Sequence, residues 1–432
     1  MKSLEKKLKD RTAQIGVMGL GYVGLPLAVA FAKSGFNVFG YDIDEEKCRS
    51  VRSGQSYVGD VPAGEIQEVV HAKRLRVSTR PAILKGLDAV VICVPTPLRK
   101  SKDPDISYIV IAANVLAPWV RKGQLVILES TTYPGTTREV ILPKLEERGL
   151  MAGKDFSLAF SPERIDPGNS RFGLRNTPKI VAGLTPHCAS LAKALFMTVT
   201  ETVVPVSSLE TAEMSKLLEN TFRAVNIALV NEVAQMCERL KLNVWEVIDA
   251  AATKPFGYMK FSPGPGIGGH CIPLDPHYLS WKLKTLNFHS RFIDLAEDIN
   301  SHMPHYVVDR VVGALNERSK PLRGSRLLIL GVAYKRDIAD IRESPALQII
   351  EELIRKGAHV SYADPFVRVL TAGGKSFKAV KLTDAILKRA DAVILVTDHS
   401  AFDIKKIASR SRLLIDTRNA SRGFNDENIV RL

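Results

Sequence analysis

The feature that most constrains this chain is that it spells nearly the same text twice. TAQIGVMGLGY near the N-terminus is answered by SRLLILGVAYK. SGFNVFGYDI is answered by KGAHVSYADP, LDAVVICVPTP by ADAVILVTDHS, and GQLVILEST by SRLLIDTRN, in the same order. Each is a short apolar run closed by turn-forming residues, the pattern of a buried strand. Helical stretches separate the runs, which predicts parallel sheets with both faces covered. Between the two copies, residues 207–253 contain no Gly or Pro and carry apolar residues at helical spacing. That segment predicts a long helix capped by Ser207 or Ser208, with Glu210 and Glu213 in its first turns. Its apolar face is expected to pack on one of the two units or on a second copy of the chain.

A strand, a glycine turn, a helix and a second strand open the chain, as in a Rossmann unit. The predicted fold class is therefore α/β: two Rossmann-like doubly wound parallel-sheet domains joined by a central helical segment. The expected boundaries are 1–206, 207–310 and 311–432. In GLGYVG, Gly19 permits the tight turn, Gly21 lets backbone approach a pyrophosphate, and Gly24 lets helix pack on strand. The helix that follows offers amide donors to that pyrophosphate. Asp42 closes the second strand at the usual distance and is expected to accept the ribose hydroxyls, favouring NAD over NADP. Gly19, Gly21, Tyr22, Val23, Gly24 and Asp42 thus make up a dinucleotide site. In the second copy Ala333 replaces the second glycine and Lys335, Arg336 and Arg342 are added. That degraded turn fits a different phosphorylated nucleotide, with Arg418 at a later strand end as a further contact.

Composition excludes several classes. Of 432 residues, 45% are hydrophobic and 25% charged, as in globular proteins, and no apolar stretch is long enough to span a bilayer. The N-terminal MKSLEKKLKDRT lacks an apolar core and does not read as a secretory signal. Leu4 and Leu8 suit a short surface helix. Cysteines at 48, 93, 188, 237 and 271 show neither zinc spacing nor a disulfide framework, so no metal is expected and a cytoplasmic location is. The net charge of +14 is spread along the chain without an aromatic-interleaved block, which argues against nucleic-acid binding.

The remaining motifs sit after strands. CVPTPLRK ends one, with Pro95 and Pro97 holding it extended and Cys93 read as a buried strand residue. ESTTYPGTT offers hydroxyls at Thr131 and Thr132. AFSPERIDPGN carries Glu163, a carboxylate able to act as a general base, though a lone loop Glu is commonly just solvated. In SKLLEN, Lys216 and Asn220 share one helical face, where an ammonium and an amide can stabilise an oxyanion; a solvated Lys beside a helical Asn is the plainer reading. PGPGIGGHCIPLDP is the most informative. Its glycines leave Cys271 accessible, and Pro273 suggests a helix start that would favour the thiolate. Asp275 lies four residues on. Adjacent side chains are expected to diverge, so His270 is not read as a partner of Cys271.

In this order GLGYVG, CVPTP, STTYPGT, SPER, KLLEN, GGHC and GVAYK…DIRES resemble the UDP-glucose/UDP-mannuronate dehydrogenase family over nearly the whole chain. ESTTYPGTT, SPERIDPGN, TKPFGYM and PGPGIGGHCIPLDP look most like its UDP-N-acetylglucosamine 6-dehydrogenase branch. The resemblance implies NAD on the first domain, a UDP-sugar substrate, and a homodimer or higher homo-oligomer built on the central segment. It implies a four-electron oxidation at C6, with Cys271 forming a thiohemiacetal and then a thioester. Water assisted by Glu163 or Asp275 releases the carboxylate, a uronic precursor for surface polysaccharide. By the same resemblance Lys216, Asn220 and Asp275 handle protons and the oxyanion, and Thr131 positions water. Pro95, Thr96, Thr131 and Arg342 join the cofactor site. Glu163, Arg164, Lys216, Asn220, Gly268, Tyr334, Lys335 and Arg418 contact substrate. One departure stands out: UDP-glucose members carry an arginine upstream of the cysteine that reaches the partner subunit's substrate. TKPFGYMK here has only Lys254 and Lys260. UDP-glucose and UDP-N-acetylmannosamine remain alternative substrates. A nucleotide-sugar epimerase, needing no thiol, and a non-catalytic nucleotide sensor are the competing classes.

Overall fold

The computed structural model describes residues 3–432 apart from Lys100, Pro167, Ser170 and Asn425, the first three of which fall in or beside CVPTPLRK and AFSPERIDPGN. It divides into two compact units. One comprises Met1–Glu219 with His277–Phe288, the other Asn220–Pro276 with His289–Leu432.

The first unit holds strands β1 (Gln14–Met18), β2 (Asn37–Tyr41), β3 (Leu75–Ser78), β4 (Ala89–Ile92), β5 (Leu125–Leu128), β6 (Ser157–Phe160), β7 (Lys179–Gly183) and β8 (Val203–Pro205). They form one sheet in the order β3-β2-β1-β4-β5-β6-β7-β8. The first six keep the dinucleotide-fold order, which reverses between β1 and β4. Pairing is parallel except between β6 and β7, so the expected all-parallel sheet is broken at that one step. β4 and β5 are buried along their whole length, as strands covered on both faces must be.

The other unit holds β9 (Arg326–Leu330), β10 (His359–Ala363), β11 (Val369–Ala372), β12 (Lys375–Lys378), β13 (Ala392–Leu395), β14 (Leu414–Asp416) and β15 (Ile429–Arg431). Its sheet runs β10-β9-β13-β14-β15, with β11 and β12 as a separate antiparallel hairpin. All its neighbours are parallel, in the shorter doubly wound order. Both Rossmann-like halves are therefore present, and every strand read from the repeated text is found.

Two helical expectations change. The N-terminal helix Leu4–Lys9 is not a free surface helix, because Leu8 is 1% exposed and sits in the first unit's core. The central helix is interrupted: Leu209–Leu240 ends where Lys241 takes a left-handed φ of 57°, and Asn243 caps a second helix, Val244–Ala251. Ser208 is the cap of the longer one, its hydroxyl accepting from the amide of Thr211 at 3.1 Å. Among the described residues no helix is long and apolar enough to cross a membrane.

Glu213, on the first turns of that helix, is fully buried and anchors the loop after β5. It accepts from the amides of Gly135 (2.6 Å) and Thr137 (2.9 Å) and from the Thr137 hydroxyl (2.6 Å). Burial pushes its carboxyl up to about 7 against the pull of these donors. Glu213→Ala strands three buried donors, and each stranded donor costs about 1–3 kcal/mol. The melting temperature should fall by roughly 5–10 °C in differential scanning calorimetry. An unchanged transition would show that the anchor is dispensable.

Candidate active site

In the first unit the glycine turn has the geometry a dinucleotide needs. Gly19 has φ +89°, and a Cβ there would lie 2.6 Å from the carbonyl oxygen of Cys93. At Gly24, the first residue of helix Gly24–Lys33, a Cβ would meet the Gly19 carbonyl at 1.8 Å. Gly21 faces open space. Two glycines are thus demanded by the protein's own packing and the third leaves room for a ligand, so the residues fit a pyrophosphate. Tyr22 is exposed beside it and Val23 caps the helix through backbone alone.

Asp42 is buried at the end of β2 and accepts from the amides of Leu20 (2.7 Å) and Asp44 (2.9 Å). Its first duty is to tie the end of β2 to the glycine turn. Pro95 and Thr96 follow β4. The Thr96 carbonyl is held by the Tyr278 hydroxyl at 2.9 Å, and the Pro97 carbonyl by the same hydroxyl at 3.3 Å. Ser130 donates to the Val94 carbonyl at 2.7 Å, so the two loops carrying Thr96 and Thr131 are stitched together. Thr131 itself is half-buried.

Glu163 is not a solvated loop residue. One of its oxygens accepts from the amides of Arg164 (2.6 Å) and Ile165 (2.7 Å), the other from Lys179 at 3.0 Å. Lys179 is buried and also bonds Glu129, which is itself buried with its second oxygen 3.4 Å from the Cys93 sulfur. Two carboxyls here share one ammonium away from water, so one of them must keep its proton. Burial pushes Glu129 up to about 7, Lys179 notwithstanding. Burial also opposes charge on Glu163, but Lys179 and the backbone amides outweigh it and hold the group at about 2. Cys93 is buried as expected, and burial with Glu129 beside it drives its thiol well up. Arg164 binds Glu219 (2.7 Å) and the Pro178 carbonyl (2.7 Å). Lys216 is buried on the long helix.

The second unit brings Asn220, Gly268, Cys271, Asp275 and Tyr334 into one neighbourhood. Asn220 and Asp275 are both buried, and the Asn220 amide donates to Asp275 at 2.5 Å. Cβ atoms at Gly268 and Gly269 would lie 2.6 Å and 2.9 Å from Tyr334, and one at Gly264 would lie 2.8 Å from the Arg418 guanidinium. The loop is pinned by Asn231, which accepts from the Gly264 amide (2.9 Å) and donates to Asn300 (2.9 Å). Arg418 donates to the Val396 carbonyl at 2.8 Å, Lys335 is half-buried, and exposed Arg342 grips Asp340. Lys254 sits over the Phe256 ring (4.9 Å) and Lys260 pairs with Asp249.

Two expectations about Cys271 are corrected. The helix begins at Asp275, so the thiol precedes it by one turn, joined through the Asp275 amide donating to the Cys271 carbonyl at 2.8 Å. And the neighbouring side chain does not diverge: His270 Nδ1 lies 3.1 Å from the Cys271 sulfur. The tight, positive-φ backbone at Gly269 (φ +94°) breaks the regular alternation that the expectation assumed.

Sequence reasoning passed over Glu129, Lys179, Asn231 and Asp340, and read Glu213 only as a first-turn helix acid. The first two carried a signal: a charge at the end of the buried run LVILE and another opening KIVAG must find partners.

Three models of one family match successive parts of this chain. The NAD binding domain of the UDP-glucose/GDP-mannose dehydrogenase family matches residues 13–200, its central domain 210–302 and its UDP binding domain 328–422. The chain belongs to this family. It is an NAD-dependent UDP-sugar dehydrogenase. A UDP-N-acetyl-D-mannosamine dehydrogenase of Pyrococcus horikoshii is 36% identical over 94% of this chain and 95% of its own length. A UDP-N-acetyl-D-glucosamine 6-dehydrogenase of Pseudomonas aeruginosa is 34% identical over 94% and 96%. The solved structure of a UDP-D-ManNAc dehydrogenase from Pyrococcus horikoshii superposes with a TM-score of 0.86, at 36% identity over 94% of this chain and 95% of that one.

The Glu129 cluster has a pH consequence. Glu129 titrates at about 7 folded against an ordinary 4.5, so the folded chain holds an extra proton between those values. Its contribution to stability is complete below about pH 4.5 and is lost as pH rises through about 7. In Glu129→Gln the fall in melting temperature from pH 5 to pH 8 should shrink relative to wild type. Parallel pH curves for the two proteins would refute the shared-proton cluster.

Proposed function

We propose that this dehydrogenase oxidises the C6 alcohol of a UDP-N-acetylhexosamine to the carboxylate, with UDP-N-acetylglucosamine as the first candidate and UDP-N-acetylmannosamine as the second. The observation that carries the reading is the partly accessible Cys271 beside the buried Asn220–Asp275 pair, on a glycine loop packed against Tyr334 and Arg418. The text of ESTTYPGTT, SPERIDPGN and PGPGIGGHCIPLDP supports the N-acetylglucosamine branch. A close mannosamine relative keeps the second candidate open.

Gly19, Gly21, Tyr22, Val23, Gly24, Asp42, Pro95, Thr96 and Thr131 hold the dinucleotide, with Arg342 as a further contact. Bound NAD supplies the hydride acceptor for both oxidations. Lys216 and Asn220 stabilise oxyanions at C6. The Cys271 thiolate adds to the C6 aldehyde as a thiohemiacetal, and loss of the next hydride leaves a thioester. Asp275 takes the proton from the water that releases the acid. Glu163, with a carboxylate held near 2, is a poor proton acceptor and serves with Arg164, Gly268, Tyr334, Lys335 and Arg418 to hold the UDP-sugar. Cysteine spacing without a disulfide framework favours work in the cytoplasm.

A homodimer is part of the proposal. Met214, Leu218, Phe222, Leu229, Met236 and Leu240 are exposed on the long helix and fall within one arc of its circumference, an apolar stripe that water does not favour. Leu218→Asp with Leu229→Asp should halve the mass seen by light scattering, and a wild type that is already monomeric would remove this part.

The chemistry is tested by counting NADH per sugar consumed with UDP-N-acetylglucosamine, UDP-N-acetylmannosamine and UDP-glucose in parallel. Two NADH and the uronate are expected from an N-acetylated substrate. Cys271→Ser should lose the acid product, with a kcat drop of about 10³-fold or more. Full turnover in that variant, or turnover of UDP-glucose alone, would overturn the proposal.

A further inference from the structure

We propose that His270 is the group that takes the proton from Cys271 and returns it, a catalytic role beyond the Cys271 chemistry on which it rests. Nδ1 lies 3.1 Å from the sulfur, within reach of a direct transfer. To accept there, the ring must carry its own proton on Nε2. The thiol S–H bond then breaks as an Nδ1–H bond forms, giving a thiolate and an imidazolium with no change in total charge. After water cleaves the thioester, the leaving thiolate recovers that proton from Nδ1.

Three charged groups bear on the pair. Asp340 is close enough to respond to the ring: burial pushes its carboxyl up, and Arg342 followed by His270 outweighs this and leaves it below the usual range. A carboxylate beside the ring stabilises an imidazolium, and Arg342, bound to Asp340 through paired contacts, moderates that pull. Asp275 is the third, one turn on from the sulfur, with its amide on the Cys271 carbonyl. The backbone fixes this arrangement from the other side too, because the Gly269 amide donates to the Arg342 carbonyl at 3.0 Å. One tight segment therefore carries the thiol, the imidazole and the tether to the Asp340–Arg342 pair.

The test reads the thiol without turnover. Cys48, Cys93, Cys188 and Cys237 are buried and Cys271 is not, so iodoacetamide labelling of the native protein followed by peptide mass spectrometry reports on Cys271. In wild type, labelling should stay fast down to about pH 6.5, where His begins to hold its proton. His270→Gln and His270→Asn should each slow labelling at pH 7 about tenfold or more and move its midpoint up toward that of an ordinary thiol, about 8.5. Matching circular dichroism keeps the comparison fair, and agreement between the two variants guards against one failing to fold. Coincident pH–labelling curves for wild type and either folded variant would overturn the role of His270. That result would leave Cys271 as the nucleophile untouched, since Cys271→Ser tests it separately.

Discussion

The same hydrogen bond closes both halves of this chain. An aspartate ending the second strand of each sheet accepts from an amide just past the first: Asp42 from Leu20 at 2.7 Å, and Asp364 from Val332 at 2.7 Å. Each bond fixes the turn after the first strand, and that turn is where a doubly wound sheet presents backbone to a ligand. The two aspartates differ in what else they hold. Asp42 takes one further amide, that of Asp44. Asp364 takes the amides of Ala333, Phe366 and Val367 and the ring of His399 at 3.0 Å. With both oxygens crowded, Asp364 has no capacity left for a ribose. Ala333 in place of the second glycine and the saturated aspartate are two signs of one difference, a turn not built for a dinucleotide's ribose.

This explains why so much of the fold was legible. Buried parallel strands write themselves as continuous apolar runs, and the aspartate and glycine at their ends are forced by backbone geometry. Gly24, whose missing Cβ lets helix Gly24–Lys33 start against the Gly19 carbonyl, could be read from spacing alone. The antiparallel β7 was not legible, because KIVAG has the same apolar text whichever way its neighbour runs. Leu8 was misjudged for a related reason. A helix as short as Leu4–Lys9 shows too few apolar positions for periodicity to separate one buried contact from none.

Site residues divide along similar lines. Candidates marked by position at a strand end, such as Thr96, Thr131 and Arg418, were picked from the text. Those whose role depends on a partner distant in sequence were not. Glu129 and Lys179 are fifty residues apart, and each looks like a stray charge until the sheet order sets β5, β6 and β7 side by side. Glu163 was seen but read in isolation. Its carboxylate behaves as an anion because Lys179 and two amides hold it, while Glu129 absorbs the unpaired proton of the cluster. A buried ammonium between two carboxyls decides which is acid and which is base, and no local pattern encodes that choice.

The glycine loop before Cys271 follows the opposite logic to the turn at Gly21. There, missing side chains leave open space for a ligand. In the loop they are filled by the protein: Tyr334 occupies the ground beside Gly268 and Gly269, and Arg418 that beside Gly264. Four glycines in a row of turns would ordinarily cost conformational entropy and order. Here the cost is offset by Asn231, which accepts from the Gly264 amide and is itself held by Asn300. The result is a thiol on a loop braced by Tyr334 and Arg418 yet itself left partly accessible, with the aromatic and guanidinium groups proposed to touch substrate pressed against the same loop. Missing Cβ atoms thus let the loop close on Tyr334 and Arg418, and on the proposed reading a side chain at Gly264, Gly268 or Gly269 would displace both the thiol's support and the groups proposed to meet the UDP-sugar.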